Sequence, residues 1–499
     1  MSAKIIRIRA LDGTPVEFVD EIRGAGGMKD VYFSPNKDYV VAFFRNKQDY
    51  TARERLESIC GRYRDNLFNM NGGDYWKDKF CWPMKVVEYD GKLGITAPFY
   101  SKTFFFEYGS TNNDMLKIKG REKEGKWFAS ASNQNRFLDP REKGDLRRYL
   151  RICIQLSRAV RRLHAAGLAH SDLSYKNVLV DPVTGSATII DVDGLVVPGK
   201  YPPDVVGTPD FIAPEVVETQ NLQKTDPKKK LPSRYTDQHA LAVLVYMYLF
   251  FRHPLRGGKI HAQDPATDEE LGMGVKALFV EHPSDKSNRP NLNDVKPSSL
   301  PWADVNKLPY SIAGPHLKPL FERAFITGLH NQHERPSAND WEIALVRTTD
   351  LLQPCSNNSC SQKWFVFDNS QSPKCPYCGT AFAGSLPVIN FYSSRVAGSY
   401  KPDNYRLMVY KDQYLYAWHA YNNIFPNEHL TPEQQKPLGY FVQKGSTWSF
   451  VNQKMPDLAD VGKKQAYPPG TQVELYDGQQ LLLASGEGGR VAVIQIVVK

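Results

Sequence analysis

No part of this chain is apolar for long enough to cross a bilayer. The longest apolar run, Ala240 to Phe251, falls short of the roughly 20 residues that a membrane-spanning helix needs. Cysteine is scarce, with seven among 499 residues, and the cysteines show no paired framework of the secretory kind. Met1-Ser2-Ala3-Lys4-Ile5-Ile6-Arg7 lacks the apolar core of a signal peptide. The expectation is a cytoplasmic protein with no membrane anchor. A dominant charge sign is missing too: 63 basic and 54 acidic residues are interspersed, leaving +9. The short basic run Lys228-Lys229-Lys230 reads as a solvated loop, so no nucleic-acid partner is expected. What the chain does have is length and 41% hydrophobic residues, enough for about three domains with real cores.

The middle of the chain carries three ordered signals. His170-Ser171-Asp172-Leu173-Ser174-Tyr175-Lys176-Asn177 comes first, then Ile189-Ile190-Asp191-Val192-Asp193-Gly194, then Gly207-Thr208-Pro209-Asp210-Phe211-Ile212-Ala213-Pro214-Glu215. Val178-Leu179-Val180 and Ala187-Thr188-Ile189-Ile190 are short β-branched runs separated by the turn Asp181-Pro182-Val183-Thr184-Gly185, a hairpin that sets Asn177 and Asp191 at neighbouring ends. An aspartate, an amide and a second aspartate brought together this way suit phosphoryl transfer. Asp172 can take the proton of an acceptor hydroxyl, while Asn177 and Asp191 offer the hard oxygen ligands that Mg²⁺ or Mn²⁺ prefers.

These segments resemble the protein-kinase catalytic loop H-R-D-L-x-x-x-N, the D-F-G position and the G-T-x-x-[YF]-x-A-P-E segment. The resemblance implies a bilobal α+β protein-kinase-like fold, and ATP as phosphate donor. Departures from the pattern bear on mechanism. Ser171 replaces the Arg that would receive an activation-loop phosphate, and Thr208 is the one Ser or Thr between Asp191 and Glu215, so activity is expected not to depend on phosphorylation of that loop. Ser174 stands where a γ-phosphate-neutralising Lys is usual, with Lys176 two positions on as a substitute. Asp-Val-Asp-Gly leaves Asp191 and Asp193 both available as metal ligand; Asp191 directly follows the apolar strand and is preferred.

Residues 1–97 resemble the small nucleotide-binding lobe. Gly24, Gly26 and Gly27, with Lys29 at the third glycine position, match the Gly-rich loop whose backbone N–H groups approach the phosphates. Tyr39-Val40-Val41-Ala42-Phe43-Phe44-Arg45 reads as the next strand, but Phe44 stands where the ATP-anchoring lysine belongs. Arg45 is the nearest cation in sequence, with Lys29 or Lys47 as alternatives. On the following helix Glu57 is the candidate to orient that cation, because it borders the apolar face more closely than Glu54 does. Val86 to Tyr89, a turn at Asp90-Gly91, and Leu93 to Pro98 form a hairpin that leads to the hinge, where backbone groups around Ala97 would hold adenine. The polar segment Thr103 to Glu142 has no clear counterpart in the family.

Residues 98–352 resemble the large lobe. Leu146, Tyr149, Cys153, Leu156, Val160 and Leu163 repeat with helical period and lead into the catalytic loop. The all-apolar helix around 240–251 must be buried. Asp237 matches the residue that braces the catalytic-loop backbone, and Arg335 is expected to pair with Glu215. In 353–384, Cys355 and Cys360 are followed after 14 residues by Cys375 and Cys378, a spacing that fits a closed, structural Zn²⁺ site in a zinc ribbon. From 385 to 499 short alternating segments separated by Gly and Pro turns read as an all-β sandwich. It resembles a forkhead-associated domain but lacks that family's phosphate-binding Arg and Ser, so a substrate- or partner-docking module is expected.

Kinase lobes followed by a Cys₄ ribbon and a β domain resemble the kinases of bacterial tellurium-resistance-associated phosphorylation triads. That likeness implies a von Willebrand A protein and a metal-dependent protein phosphatase as partners, and a place in stress signalling. The leading expectation is an ATP-dependent serine/threonine protein kinase. A pseudokinase scaffold or a small-molecule phosphotransferase are the alternatives.

Overall fold

The computed structural model describes residues 4–25, 28–70, 72–197, 200–201, 207–223, 225–367, 373–396 and 399–498. They form two compact units. The first comprises 1–144, 148–310 and 319–342; the second comprises 145–147, 311–318 and 343–499.

The first unit begins with the hairpin β1 (Ile5–Arg9) and β2 (Pro15–Val19). A five-stranded antiparallel sheet follows, built from β3 (Gly24–Ala25), β4 (Lys29–Phe33), β5 (Tyr39–Phe44), β6 (Lys85–Tyr89) and β7 (Lys92–Pro98) in the order β3-β4-β5-β7-β6. The two-residue period of β5 fixes its two faces. Val41 and Phe43 pack with Ile6, Val16, Phe18 and Val87 under the hairpin. Ala42 and Phe44 turn to the other face, against Leu56, Cys60, Val86 and Ile95. Leu56 belongs to the helix Tyr50–Ser58, which starts where the Asp49 side chain accepts from the N–H of Ala52, a standard N-cap.

Helices dominate the rest of this unit. In Leu146–Ala165 the residues Tyr149, Cys153, Leu156, Val160 and Leu163 are all buried, one stripe at helical spacing. The helix Arg234–Phe250 is buried on nearly every side and is capped by Ser233, which accepts from Tyr235 N–H while Thr236 closes the box from the other direction. Between these helices lies the hairpin β8 (Val178–Asp181) and β9 (Ser186–Ile189). The expected ion pair forms: the Arg335 guanidinium grips both carboxylate oxygens of Glu215 at 2.8 and 2.7 Å. Arg335 also donates to the carbonyls of Gly328, Leu329 and Tyr235.

The second unit holds a short hairpin, β10 (Leu352–Pro354) and β11 (Trp364–Val366), beside the four cysteines. Two antiparallel sheets follow. One comprises β12 (Ser385–Val396), β13 (Ser399–Met408), β17 (Ala459–Asp460), β18 (Gln465–Ala466), β20 (Gln480–Leu482) and β21 (Arg490–Val498). The other comprises β14 (Tyr414–Leu415), β15 (Gly439–Lys444), β16 (Thr447–Asn452) and β19 (Gln472–Glu474). Both contribute to one core, in which Phe391, Leu407 and Ile494 meet Phe441, Trp448 and Phe450, as face-to-face sheets require. No helix among the described residues is long and apolar enough to cross a membrane.

Candidate active site

The loop from His170 to Asn177 is held from beneath by one buried carboxylate. Asp237, on the first turn of the buried helix, accepts from the backbone N–H of His170 (2.8 Å) and of Ser171 (3.2 Å), and its Oδ2 lies 3.1 Å from His164 Nε2. His170 in turn places Nε2 3.0 Å from the Ile190 carbonyl. Ser171 takes a left-handed conformation, φ 67°, which turns the chain so that Asp172 faces away from this brace.

Asp172 is fixed from two directions. Its Oδ1 accepts from the Thr208 backbone N–H at 2.6 Å and its Oδ2 from Asn177 Nδ2 at 2.9 Å. The Asn177 amide also reaches the Asp172 carbonyl at 2.8 Å. Each carboxylate oxygen keeps a further lone pair, so the group can still accept a proton. The Thr208 hydroxyl is buried and lies 3.2 Å from the buried Ser174 hydroxyl. Lys176 is exposed, and its backbone N–H donates to Ser174 Oγ.

The hairpin register pairs Val178 with Ile189, and Ile190 N–H donates to the Asn177 carbonyl at 3.0 Å. Asn177 and Asp191 therefore leave the same end of the hairpin. Asp191 sits in the left-handed region, φ 59°, with its carboxylate about half exposed, whereas Asp193 is buried.

The cation that meets both acids is Lys29. Its Nζ donates to Asp191 Oδ1 (2.8 Å) and to both Asp193 oxygens (2.8 and 2.7 Å). Sheet register explains how it gets there. Lys29 on β4 is the cross-strand partner of Phe44 on β5, and its ammonium lies 5.3 Å from the Phe44 ring centre, a cation–π contact. Burial alone would lower the Lys29 pKa, but Asp193 and Asp191 outweigh it and hold the ammonium above the ordinary lysine value. Burial raises Asp191, and the charge and hydrogen bond of Lys29 more than reverse this, so it stays below the usual carboxylate range. For Asp193 burial wins, reinforced by the Asp191 charge, and its pKa is raised.

Arg45 and Glu57 do not join this cluster. Arg45 Nε donates to Asp30 at 2.8 Å on the exposed side, one residue out of phase with Phe44. Glu57 is exposed and lies 3.5 Å from Arg53. Glu54, one turn earlier, is instead the helix carboxylate with a long-range partner: Tyr201 OH donates to it at 2.8 Å and Lys200 Nζ stands 3.1 Å away. Gly24 pairs with Val31 in the sheet; Gly26 and Gly27 lie outside the described residues. Ala97 is buried opposite Val40, one residue past Thr96, the last β7 residue paired with β6. Alternation along β4 and β5 was the sequence signal that could have singled out Lys29 from its alternatives.

Residues 125–301 match the protein kinase domain. The match includes Asp172, Asn177, Asp191, Glu215 and Asp237 and leaves Lys29 outside it. A stretch of 107 residues is 36% identical to death-associated protein kinase dapk-1 of Caenorhabditis elegans; it makes up 21% of this chain and spans 7% of that protein's length. Among solved structures, the kinase domain of a Toxoplasma gondii specific rhoptry antigen is similar with a TM-score of 0.34 and 16% identity, over 56% of this chain and 84% of that one.

In the second unit the four thiols Cys355, Cys360, Cys375 and Cys378 converge. Their Sγ atoms all lie within 4.8 Å of one another, with Cys355 to Cys378 at 3.5 Å and Cys360 to Cys375 at 3.8 Å. A tetrahedral Zn²⁺ with bonds of about 2.3 Å has sulfur–sulfur edges of about 3.8 Å, so the cluster fits that ion. The side chain and backbone of Thr380 hold the Cys378 thiol down to about 6, toward the thiolate a metal needs.

Proposed function

We propose that this chain is an ATP-dependent protein kinase that phosphorylates serine or threonine hydroxyls, with Mg²⁺ or Mn²⁺ in the active site and Zn²⁺ in the Cys₄ cluster. The observation that carries the reading is the convergence of three fixed parts: Asp172 held between Asn177 and Thr208, the half-exposed Asp191 at the same hairpin end as Asn177, and the Lys29 ammonium on Asp191. A bare binding module has no use for a positioned base beside a set of hard oxygen ligands.

In the reaction the acceptor oxygen forms a bond to the γ-phosphorus as the bond to the β–γ bridging oxygen breaks. The hydroxyl proton passes to the free lone pairs of the Asp172 carboxylate, and ADP leaves with the bridging oxygen. Asp191 and the Asn177 side-chain oxygen would hold the divalent cation, whose chemistry is to neutralise charge on the phosphates. Asn177 also keeps Asp172 aimed, since its Nδ2 spans the carbonyl and the carboxylate of that residue. The Thr208 N–H reaches Asp172 directly, so the segment that receives the substrate is ordered by an internal contact. That supports activity independent of loop phosphorylation, as does the buried Thr208 hydroxyl.

Serine/threonine preference rests on the likeness of Gly207-Thr208-Pro209 to the segment that positions such hydroxyls. The setting we propose, a bacterial phosphorylation triad with a von Willebrand A protein and a metal-dependent phosphatase, rests on the order of kinase lobes, Cys₄ ribbon and β domain.

The test is transfer of the γ-phosphate of ATP, with Mg²⁺ or Mn²⁺, to the protein itself and to a general protein acceptor. Label on Ser or Thr that disappears in Asp172→Ala and Asp191→Ala is the expected result. Nucleotide binding with no transfer by the wild type would overturn the kinase reading in favour of a scaffold, and label on a small acceptor alone would move it to a small-molecule phosphotransferase.

A further inference from the structure

The polar segment 103–142 is a fixed part of the large-lobe site. Val180 N–H donates to the Lys123 carbonyl (3.0 Å), Glu124 bridges to Leu179, and Lys126 N–H donates to the Tyr175 carbonyl (3.1 Å). Residues 123–126 thus run beside β8 and reach the catalytic loop. The buried Lys123 ammonium fastens them, 2.8 Å from Asp181 and 3.0 Å from Glu142. At Gly125 a Cβ would stand 2.0 Å from the Tyr248 hydroxyl, so only glycine lets the backbone pass so close.

Beyond this point the segment forms one side of a cavity of about 490 Å³, within the range of about 300–1,000 Å³ that ligand pockets occupy. Trp127, Phe137, Tyr175, Met247 and Phe251 supply its apolar walls. Its place is defined by the chain. Tyr175 lies three residues past Asp172, and Asp210 lies two past Thr208, the residue whose N–H binds Asp172. The cavity is therefore built on the same two segments that place Asp172, with Tyr175 and Asp210 rather than Asp172 and Thr208 in its lining.

Among the described residues that line it, Asp210 is the one acid, and its carboxylate is already paired with the Arg256 guanidinium. Oδ2 receives the Tyr175 hydroxyl (2.8 Å), Oδ1 receives Arg256 Nε (2.6 Å), and its carbonyl lies 2.9 Å from His253 Nε2. The other charged residues in the lining, Lys126, Arg252 and Arg256, are all cations. A lysine or arginine entering would lose its hydration and meet a carboxylate already neutralised by Arg256, beside two further cations. An aromatic side chain, in contrast, would bury about 150–250 Å².

We propose that this cavity selects polypeptide substrates carrying a bulky apolar side chain, aromatic above all, near the acceptor serine or threonine, and rejects a basic residue there. The proposal rests on the protein-kinase reading.

The experiment is phosphorylation of a position-scanned peptide library by the full chain, followed by kcat and KM for matched peptides with Phe, Ala or Arg at the selected position. One position favouring Phe, Trp or Leu, and disfavouring Arg and Lys, is the expected profile. In Trp127→Ala the kcat/KM advantage of Phe over Ala, about thirtyfold for a side chain of hot-spot quality, should collapse toward unity through KM. The wild-type profile alone decides the matter should that variant fail to fold. Transfer with no apolar preference, or with a basic one, overturns the pocket assignment while leaving the kinase reading intact. No transfer to any peptide or protein by nucleotide-bound wild type overturns the kinase reading, and the polypeptide occupant falls with it.

Discussion

Replacing Lys29 by methionine removes the ammonium that contacts both Asp191 and Asp193 while keeping most of the stem that lies over Phe44. Two effects follow, and their sizes differ. The buried Asp193 carboxylate loses the partner that contacts both its oxygens, and stranding a buried charge costs about 3–5 kcal/mol. The true loss should fall at the low end, because Asp193 already has a raised pKa and can take up a proton. Phosphoryl transfer loses a preorganised positive charge, worth on the order of 10²–10³ in kcat by analogy with other electrostatic stabilisers. Urea melts measure the first and γ-phosphate transfer at saturating ATP measures the second. Arg45→Met is the control: its guanidinium faces Asp30 at the surface, where an ion pair contributes about 0–1 kcal/mol, so both readouts should stay near wild type. Moving the lysine across the strand pair, Lys29→Phe with Phe44→Lys, should recover part of the transfer rate. A Lys29→Met variant that is folded and transfers phosphate at the wild-type rate would refute the assignment, and loss of transfer in Arg45→Met would replace it.

Glu215→Gln should destabilise by about 2–3 kcal/mol in urea melts, less than a fully stranded charge, because three backbone carbonyls still accept from Arg335; a change below about 0.5 kcal/mol would contradict that pairing. A zinc chelator such as dipicolinate should release one Zn²⁺ per chain, expose four titratable thiols and lower the melting temperature, and Cys375→Ser should abolish the release. Buried His253 has its pKa lowered to about 4 from 6.5. Between those values the unfolded chain binds a proton that the folded chain refuses, so stability falls as pH drops through that window. The contribution totals about 3 kcal/mol and is fully lost below pH of about 4. His253→Gln should lose that much less stability than wild type between pH 7 and 4, and identical pH profiles would sink the reasoning.

Much of the site was legible because its parts are local. Asp172 and Asn177 share one loop, a five-residue spacing lets the amide reach back to the carboxylate, and the β8–β9 hairpin carries Asp191 to the same end. Helical stripes such as Tyr149 to Leu163 were legible for the same reason. Glu57 was a harder case. It sits three residues from Glu54, only about 60° away around a helix, and what separates them is Tyr201, about 150 residues on. The segment 103–142 gave no periodic signal because long-range anchors hold it: Lys123 on Asp181 and a backbone run beside β8.

Lys29 shows most clearly why a linear motif is not the physical requirement. The acids at 191 and 193 need a positive charge, and no particular strand has to supply it. In an antiparallel pair, directly opposed residues point to the same face with Cβ atoms about 4.5–5.5 Å apart, a gap that the four-carbon stem of lysine easily spans. Lys29 and Phe44 are such a pair, so the aromatic ring at the expected lysine position becomes the surface over which the neighbouring lysine reaches Asp191 and Asp193. A lysine at 44 in addition to Lys29 would put two ammoniums over the same two carboxylates, in a site where burial already opposes charge. A cation at one of the two positions and an apolar partner at the other is the arrangement that electrostatics favours, and Lys29 with Phe44 satisfies it.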